Sequence, residues 1–545
     1  MRGIASIVKQ SRFIDRLTGL IHYGLSREMS YSRRVASGAL SMHYRAYRTW
    51  LIYALLCLAC AVYFFSNFLL IPIGTEARDY VFYRGFMAAS HVGSALFYPV
   101  GANRRIVSMF AFALWRGACG LNAPCLNSIQ IVELMLCMGA GALHLHQLLR
   151  RPVLVALSLA AWAISLPVFS AAYWQATQHD KLAFLFSLLA LSLGHWAIGR
   201  NASIYFRLAT GMLIALLFLL ALNSKEIAFF LPAAVTAQIA LFVPARDLRT
   251  WYRAASVYIL PMVYCGFYIS VYLLRLNGAW RGHVLSGNAV AGLAYYAGSL
   301  AGRHADPSAA LTALGILLAG TIFLGLRSMV VEHRSSLSSV LAPASQAPKA
   351  FTYLMVIFVA NLTLVAKAQY PDNFYLLIGA WAFFGWIATG FDIAQRSRGI
   401  VQYPIFAVIL LIGVIIARNR IVDLTNAWGS GRLLYEAHAI ERGYRQLHQF
   451  CGPQMRGGVK LVFPERPLGS FFFFRGGDER PDQLVGAFIC NDGTAPVMNY
   501  RFDGIARPDH PGQLLVAWDS NLRLKSVMLD GRSLAAGESP PSVFP

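Results

Sequence analysis

Eleven apolar runs govern what this chain can fold into, read approximately as residues 50–73, 128–148, 152–172, 182–199, 205–222, 226–243, 254–275, 308–327, 350–368, 373–392 and 402–417. A hydrocarbon core of about 30 Å takes roughly 20 residues of helix to cross. Within lipid a lone segment must satisfy its own backbone hydrogen bonds, so each run is expected to be a helix. The chain is therefore expected to be an α-helical polytopic membrane protein of about eleven spans. Its composition agrees: 57% of the 545 residues are apolar and 13% charged, against about 25% charged in an average soluble domain.

The formal charge of +22 raises the question of nucleic acid, and its placement answers against it. The arginines gather between the apolar runs rather than along one face. Before the first run stand Arg2, Lys9, Arg12, Arg16, Arg27, Arg33, Arg34, Arg45 and Arg48, opposed by Asp15 and Glu28. Basic residues are retained on the cytoplasmic side, which puts the N-terminus there. The segment is too long and polar for a secretory signal, so the first run reads as a retained anchor. The turns that should then face the cytoplasm carry Arg150-Arg151, Arg200 with Arg207, Arg246 with Arg249 and Arg253, Arg327 with Arg334, and Arg396 with Arg398. An odd number of spans sends the tail outside. Three parts result: a basic cytoplasmic segment 1–48, a multi-span domain 49–418 with a long first outer loop 74–127, and a soluble extracytoplasmic domain 419–545.

The tail changes character. A charged helical stretch, Leu433 to Phe450, reads as a stalk. Strand-like runs follow at Val459-Lys-Leu-Val-Phe, Ser470 to Phe474, Leu484 to Ile489 and Leu514 to Trp518. Gly476-Gly477-Asp478, Asn491-Asp492-Gly493 and Asp530-Gly531 supply turns between strands, so a small β-rich domain is expected. The eight cysteines form no zinc pattern. Cys57, Cys60, Cys137 and Cys265 lie in apolar runs as small hydrophobes, whereas Cys119 with Cys125, and Cys451 with Cys490, can pair if they face an oxidising compartment.

Chemistry is expected where the outer turns meet. The first loop holds Glu76 and Asp79 just beyond the first span, and a carboxylate there can take a proton from an acceptor hydroxyl. A bland alternative is an aspartate paired with Arg78 or Arg84. Arg104 and Arg105 suit a phosphate gripped by forked hydrogen bonds, or equally lipid headgroups. The run Ile106 to Trp115 and the stretch from Asn288 read as helices lying along the interface. Gln178-His179-Asp180-Lys181, Lys225-Glu226 and Asp372-Asn373-Phe374-Tyr375 complete the outer set. For Ser224 and Glu226 alone, capping of the next helix is the simpler expectation. Mid-span positions are almost uncharged, Glu133 being the main exception, which argues against an energy-coupled pump. No nucleotide loop, metalloprotease motif or paired-acid metal site stands out.

Taken in order, these motifs resemble GT-C-type membrane glycosyltransferases, and within them the transmembrane O-mannosyltransferase branch whose members often carry tetratricopeptide repeats. The resemblance runs over about residues 50–400, through Arg104-Arg105-Ile106-Val107-Ser108-Met109-Phe110, Gly120-Leu121-Asn122, Leu166-Pro167-Val168 to Trp174, Gln178-His179-Asp180-Lys181-Leu182, Asn223-Ser224-Lys225-Glu226 with Pro232, and Asp372-Asn373-Phe374-Tyr375-Leu376. Several positions depart from the family pattern: Arg105 replaces a proline, and Gln178 and Asn373 stand where basic residues are usual. The tail carries no repeats.

The resemblance implies a transferase that moves a sugar, with inversion, from a polyprenyl-phosphate donor to an acceptor hydroxyl on a protein, glycan or lipid. It implies Asp79 as catalytic base, with Glu76, Arg104, Arg105, His179, Asp180, Lys181, Lys225, Glu226, Asp372 and Tyr375 binding substrate. No cofactor is marked, and a divalent metal is left open. The setting it implies is the outer face of a bacterial-type inner membrane, among membrane lipids and without nucleic acid. A flippase or transporter for a polyprenyl-linked glycan, and a catalytically silent membrane scaffold, are the alternatives.

Overall fold

The computed structural model describes residues 47, 49, 51–66, 68–69, 105–120, 122–173, 177–198, 203–243, 248–275, 289–301, 346–366, 373–398, 445–446, 448–449, 459–462, 498–501, 507–508, 511–518, 524–530 and 532–534. The chain divides into two compact units, Met1–Leu58 and Ala59–Pro545. Their boundary falls inside an apolar helix, Leu51–Ser66 (α1). The second unit continues with Ile106–Cys119 (α2), Ala123–Leu149 (α3), Pro152–Ala163 (α4), Leu166–Tyr173 (α5), Gln178–Ile198 (α6), Ile204–Leu222 (α7), Leu231–Phe242 (α8), Leu248–Arg275 (α9), Ala289–Ala301 (α10), Gln346–Ala366 (α11) and Leu377–Arg398 (α12). Tight 3₁₀ turns, Glu226–Phe230 and Asn373–Leu376, lead into α8 and α12.

Six of these helices are long and apolar enough to cross a membrane, and a seventh span results if α4 and α5, bent by 61°, are counted together. The chain is thus a helical, multi-pass membrane protein. Two further expected runs form the shorter apolar helices Leu51–Ser66 and Glu226–Phe242. The runs expected at 308–327 and 402–417 lie outside the described residues.

The bend has a local cause. Pro167 lacks the N–H that would continue the ladder from α4, so it stands in the first turn of α5, where that donor is not needed. Ser165 takes up the slack, its hydroxyl donating to Trp162 O at 2.6 Å. The indole of Trp162 then donates to Leu377 O at 3.1 Å, tying the bend to the start of α12.

Buried glycines set how closely the helices pack. A Cβ on Gly292 of α10 would come within 2.2 Å of the backbone oxygen of Ala366, at the end of α11. On α3, one on Gly141 would meet the Trp381 indole of α12.

The tail residues described form a five-stranded sheet ordered β2-β1-β3-β4-β5. Its strands are Val459–Val462 (β1), Met498–Arg501 (β2), Leu514–Trp518 (β3), Leu524–Leu529 (β4) and Arg532–Leu534 (β5). β1 runs parallel to β2 and β3, while β3, β4 and β5 pair antiparallel. Val462, Leu515 and Ala517 form its apolar cluster, with Met528 against it. Asp530, at φ 49°, forms the expected turn and accepts from Gly512 N at 2.6 Å. The runs at Ser470–Phe474 and Leu484–Ile489, most of the Leu433–Phe450 stretch, and Cys451 and Cys490 lie outside the described residues.

Candidate functional site: a buried charged cluster at one end of the bundle

Four separate segments of chain converge at one end of the bundle. The first is the α7–α8 turn. Asn223 closes α7 as its C-cap, its amide donating to Leu219 O at 2.9 Å, and Ser224 Oγ donates to Leu220 O at 2.7 Å. Both side chains therefore bind carbonyls of the preceding helix. This corrects the expectation that Ser224 caps the next one, because orphan acceptors at the end of α7 are nearer than the donors of the following turn. Lys225 is extended and makes no side-chain cap. The start of α2 docks on the same turn, with Val107 N donating to Asn223 O and Ser108 Oγ to Ser224 O at 3.0 Å. The helix expected along the interface from Ile106 is therefore in part a packed element, although Phe110 and Leu114 remain exposed.

That docking brings Arg105 to Glu226, Nη2 to Oε2 at 3.1 Å, with side chains 21% and 19% exposed. Tyr272 of α9 donates to Glu226 Oε1 at 3.4 Å. Beside this pair, Lys225 Nζ lies 2.8 Å from His179 Nε2 and 4.9 Å from the ring centre of Tyr375, a cation–π distance. His179 Nε2 is also 3.0 Å from Asp180 Oδ2. A single imidazole nitrogen thus faces an ammonium and a carboxylate. It can accept from the first or donate to the second, and not both at once.

The first turn of α6 continues inward. Lys181 is completely buried. It donates to Gln130 Oε1 and to Ala171 O at 3.1 Å, with Glu133 Oε2 at 3.9 Å. Cys137 Sγ contacts Lys181 O at 3.2 Å. Glu133 is ten residues into α3, so the start of α6 lies about 15 Å along α3 from its beginning. The turn expected at the outer surface is recessed within the helices.

Of the expected site residues, Arg105, His179, Asp180, Lys181, Lys225, Glu226 and Tyr375 come together here. Glu76, Asp79, Arg104 and Asp372 lie outside the described residues. Gln130, Glu133 and Tyr272 were not expected in the site. The first two were legible as polar residues three apart on one face of an apolar helix, a spacing that needs partners. Among the described residues no group of three or more His, Cys, Asp or Glu can hold a metal. Compared with known proteins, the chain matches no family model and no curated protein.

The cluster sets Arg105, Lys181 and Lys225 beside Asp180 and Glu226, with Glu133 next to Lys181. Pairing of this kind is what allows charges to be buried at all. Cations such as Lys225, set over the Tyr375 ring, and Arg105 can hold an anionic group such as a phosphate, and carboxylates beside them can hold hydroxyls.

Proposed function

We propose that this protein is a membrane glycosyltransferase that takes its sugar from a polyprenyl-phosphate carrier and hands it, with inversion, to an acceptor hydroxyl. The observation that carries the reading is the meeting of Arg105, His179, Asp180, Lys225 and Tyr375, drawn from four turns, in one recess among apolar helices. A polyprenyl donor has one long apolar chain and one phosphate, so its site must join lipid-facing helices to buried cations. Arg105 and Lys225 stabilise the phosphate as it leaves. Asp79, in the first outer loop, accepts the proton of the attacking hydroxyl.

The same reading sets the orientation. Cys119 and Cys125 are disulfide-bonded between α2 and α3, at the cluster's end of the bundle, which fits an oxidising compartment. Arg150, Arg151, Arg207, Arg249 and Arg253 lie at the opposite helix ends, which fits the cytoplasm. We place the site on the outer face of a bacterial-type inner membrane, with eleven spans and a β-rich extracytoplasmic tail.

The test uses purified full-length protein with undecaprenyl phosphate carrying radiolabelled mannose, glucose or a pentose, and follows release of undecaprenyl phosphate and appearance of free or transferred sugar. Asp79→Asn and Lys225→Met should each lower turnover at normal membrane levels. Full turnover by Asp79→Asn would sink the base assignment, and no turnover of any donor by the unaltered protein would sink the reading.

A further inference from the structure

Near the start of α7, Arg207 holds its guanidinium carbon 5.8 Å from the ring centre of Tyr252 on α9, a cation–π distance. That ring is its partner among the described residues, and Nε and Nη1 are shielded by protein without any acceptor. Arg105 and Arg151, by contrast, each meet a carboxylate, Glu226 and Asp392. A shielded guanidinium edge with no acceptor is costly, so an anion brought up beside it is stabilised.

The surroundings narrow which anion fits. Three contacts climb α7 and α9 together. Arg207 meets Tyr252, a Cβ on Gly211 would stand 3.0 Å from Val257 O, and Asn223 Nδ2 donates to Tyr264 Oη at 3.0 Å. The two helices therefore run parallel and in contact, and both begin at the end of the bundle opposite the recess. The turns that enter them, 200–207 and 246–253, hold five arginines against Asp247 alone. Arg249 stands one turn before Tyr252 on the same face of α9. Beyond this basic end the outer flanks are apolar. Leu208, Met212 and Leu216 form a stripe along α7, and Leu260 and Val263 continue two and three turns past Tyr252 on α9, each roughly half exposed. A soluble phosphate or an acidic peptide would use the arginines and leave the stripes bare. A phospholipid uses both, with its phosphate at the arginines and its acyl chains along the stripes. We propose that the paired starts of α7 and α9 bind the phosphate headgroup of an anionic phospholipid, with Arg207 as the oriented contact and Arg249 beside it. The site needs none of the recess residues and stands apart from sugar transfer.

The experiment titrates the full-length protein, in an uncharged detergent, with phosphatidylglycerol, phosphatidylcholine or inorganic phosphate, and draws an apparent Kd from the shift in unfolding temperature. Phosphatidylglycerol should raise that temperature, and the other two at the same concentration should not. Arg207→Gln and Arg249→Gln should each weaken phosphatidylglycerol about 5-fold or more, the effect of one basic residue on an anionic headgroup. Arg532→Gln in the tail sheet removes the same charge elsewhere and should leave the Kd unchanged. An equal shift from phosphatidylcholine, or an equal loss with Arg532→Gln, overturns the site. An equal shift from inorganic phosphate assigns the arginines to a soluble anion and overturns the lipid. Should Arg207→Gln fail to fold, Arg249→Gln decides alone, and undiminished phosphatidylglycerol binding by it overturns the proposal.

Discussion

The ammonium of Lys225 lies 2.8 Å from Nε2 of His179, across 46 residues of sequence, and 4.9 Å from the centre of the Tyr375 ring. An imidazole nitrogen and an aromatic face both lie against the charge. Lys225→Met should therefore lower donor turnover about 100-fold, the scale of a lost preorganised electrostatic contact. Lys225→Arg keeps the charge and stacks on Tyr375, but its planar fork differs from a single ammonium, so an intermediate loss of roughly 10-fold is expected. Steady-state rates with undecaprenyl-phosphate-linked sugars check both. If Lys225→Arg were as inactive as Lys225→Met, charge alone would not be what the position supplies.

Arg105 and Glu226 couple the start of α2 to the turn before α8, at 3.1 Å and about one-fifth exposed on each side. A double-mutant cycle with Arg105→Ala and Glu226→Ala, read by thermal unfolding in detergent, should give a coupling of about 1–3 kcal/mol. Additive effects would mean that hydrogen bonding by Ser108 to Ser224 O, and not the ion pair, holds α2 in place.

The Cys119–Cys125 disulfide tests orientation. In intact cells a membrane-impermeant maleimide should label these two only after an impermeant reductant has been added. Labelling that needs membrane disruption would place this end of the bundle in the cytoplasm and reverse the proposed topology.

Much of this architecture was legible because hydrophobic burial in lipid leaves a long, simple record. Nine of the expected apolar runs are helical among the described residues. The meeting of His179, Lys225 and Tyr375 could be anticipated only because alternate turns of a multi-span chain fall on the same side. Depth was not legible. Nothing local in Gln178–Lys181 says that this turn packs against Gln130, Glu133 and Cys137 rather than facing water. That follows from the bent α4–α5 pair, whose geometry depends on Trp162 reaching Leu377 O. The role of Ser224 was hidden for a similar reason. It is a good cap by type, and which helix it serves depends on which carbonyls or amides lie within reach.

Gly292 is a point where backbone packs on backbone. A Cβ there would stand 2.2 Å from Ala366 O, and a main-chain oxygen cannot rotate aside as a side chain does. Gly292→Ala should force α10 off the end of α11 and destabilise the protein by about 1–3 kcal/mol. Gly139 is the control, since nothing lies within 4 Å of a Cβ there. Gly139→Ala should be neutral or stabilising by about 0.5–1 kcal/mol, the helix-propensity gain. Unfolding temperatures of the two variants should move in opposite directions, and a shared direction would contradict the packing.

At the other end of the bundle Arg151 Nε and Asp392 Oδ1 are 2.9 Å apart, with side chains 40% and 0% exposed. The asymmetry predicts unequal consequences for removing either partner. Arg151 precedes α4 and can turn its guanidinium toward water or lipid headgroups once Asp392 is neutral. Asp392 sits inside α12 and cannot follow. Arg151→Ala takes the guanidinium from a carboxylate that remains buried, a change on the order of 1–3 kcal/mol. Asp392→Asn leaves a neutral group of the same size and should cost about 1 kcal/mol. Combining the two should recover part of what Arg151→Ala loses, because the buried carboxylate charge is then gone. Thermal unfolding of the three variants decides the matter: if Arg151→Ala proves the milder of the single changes, this pair is not what burial of Asp392 depends on.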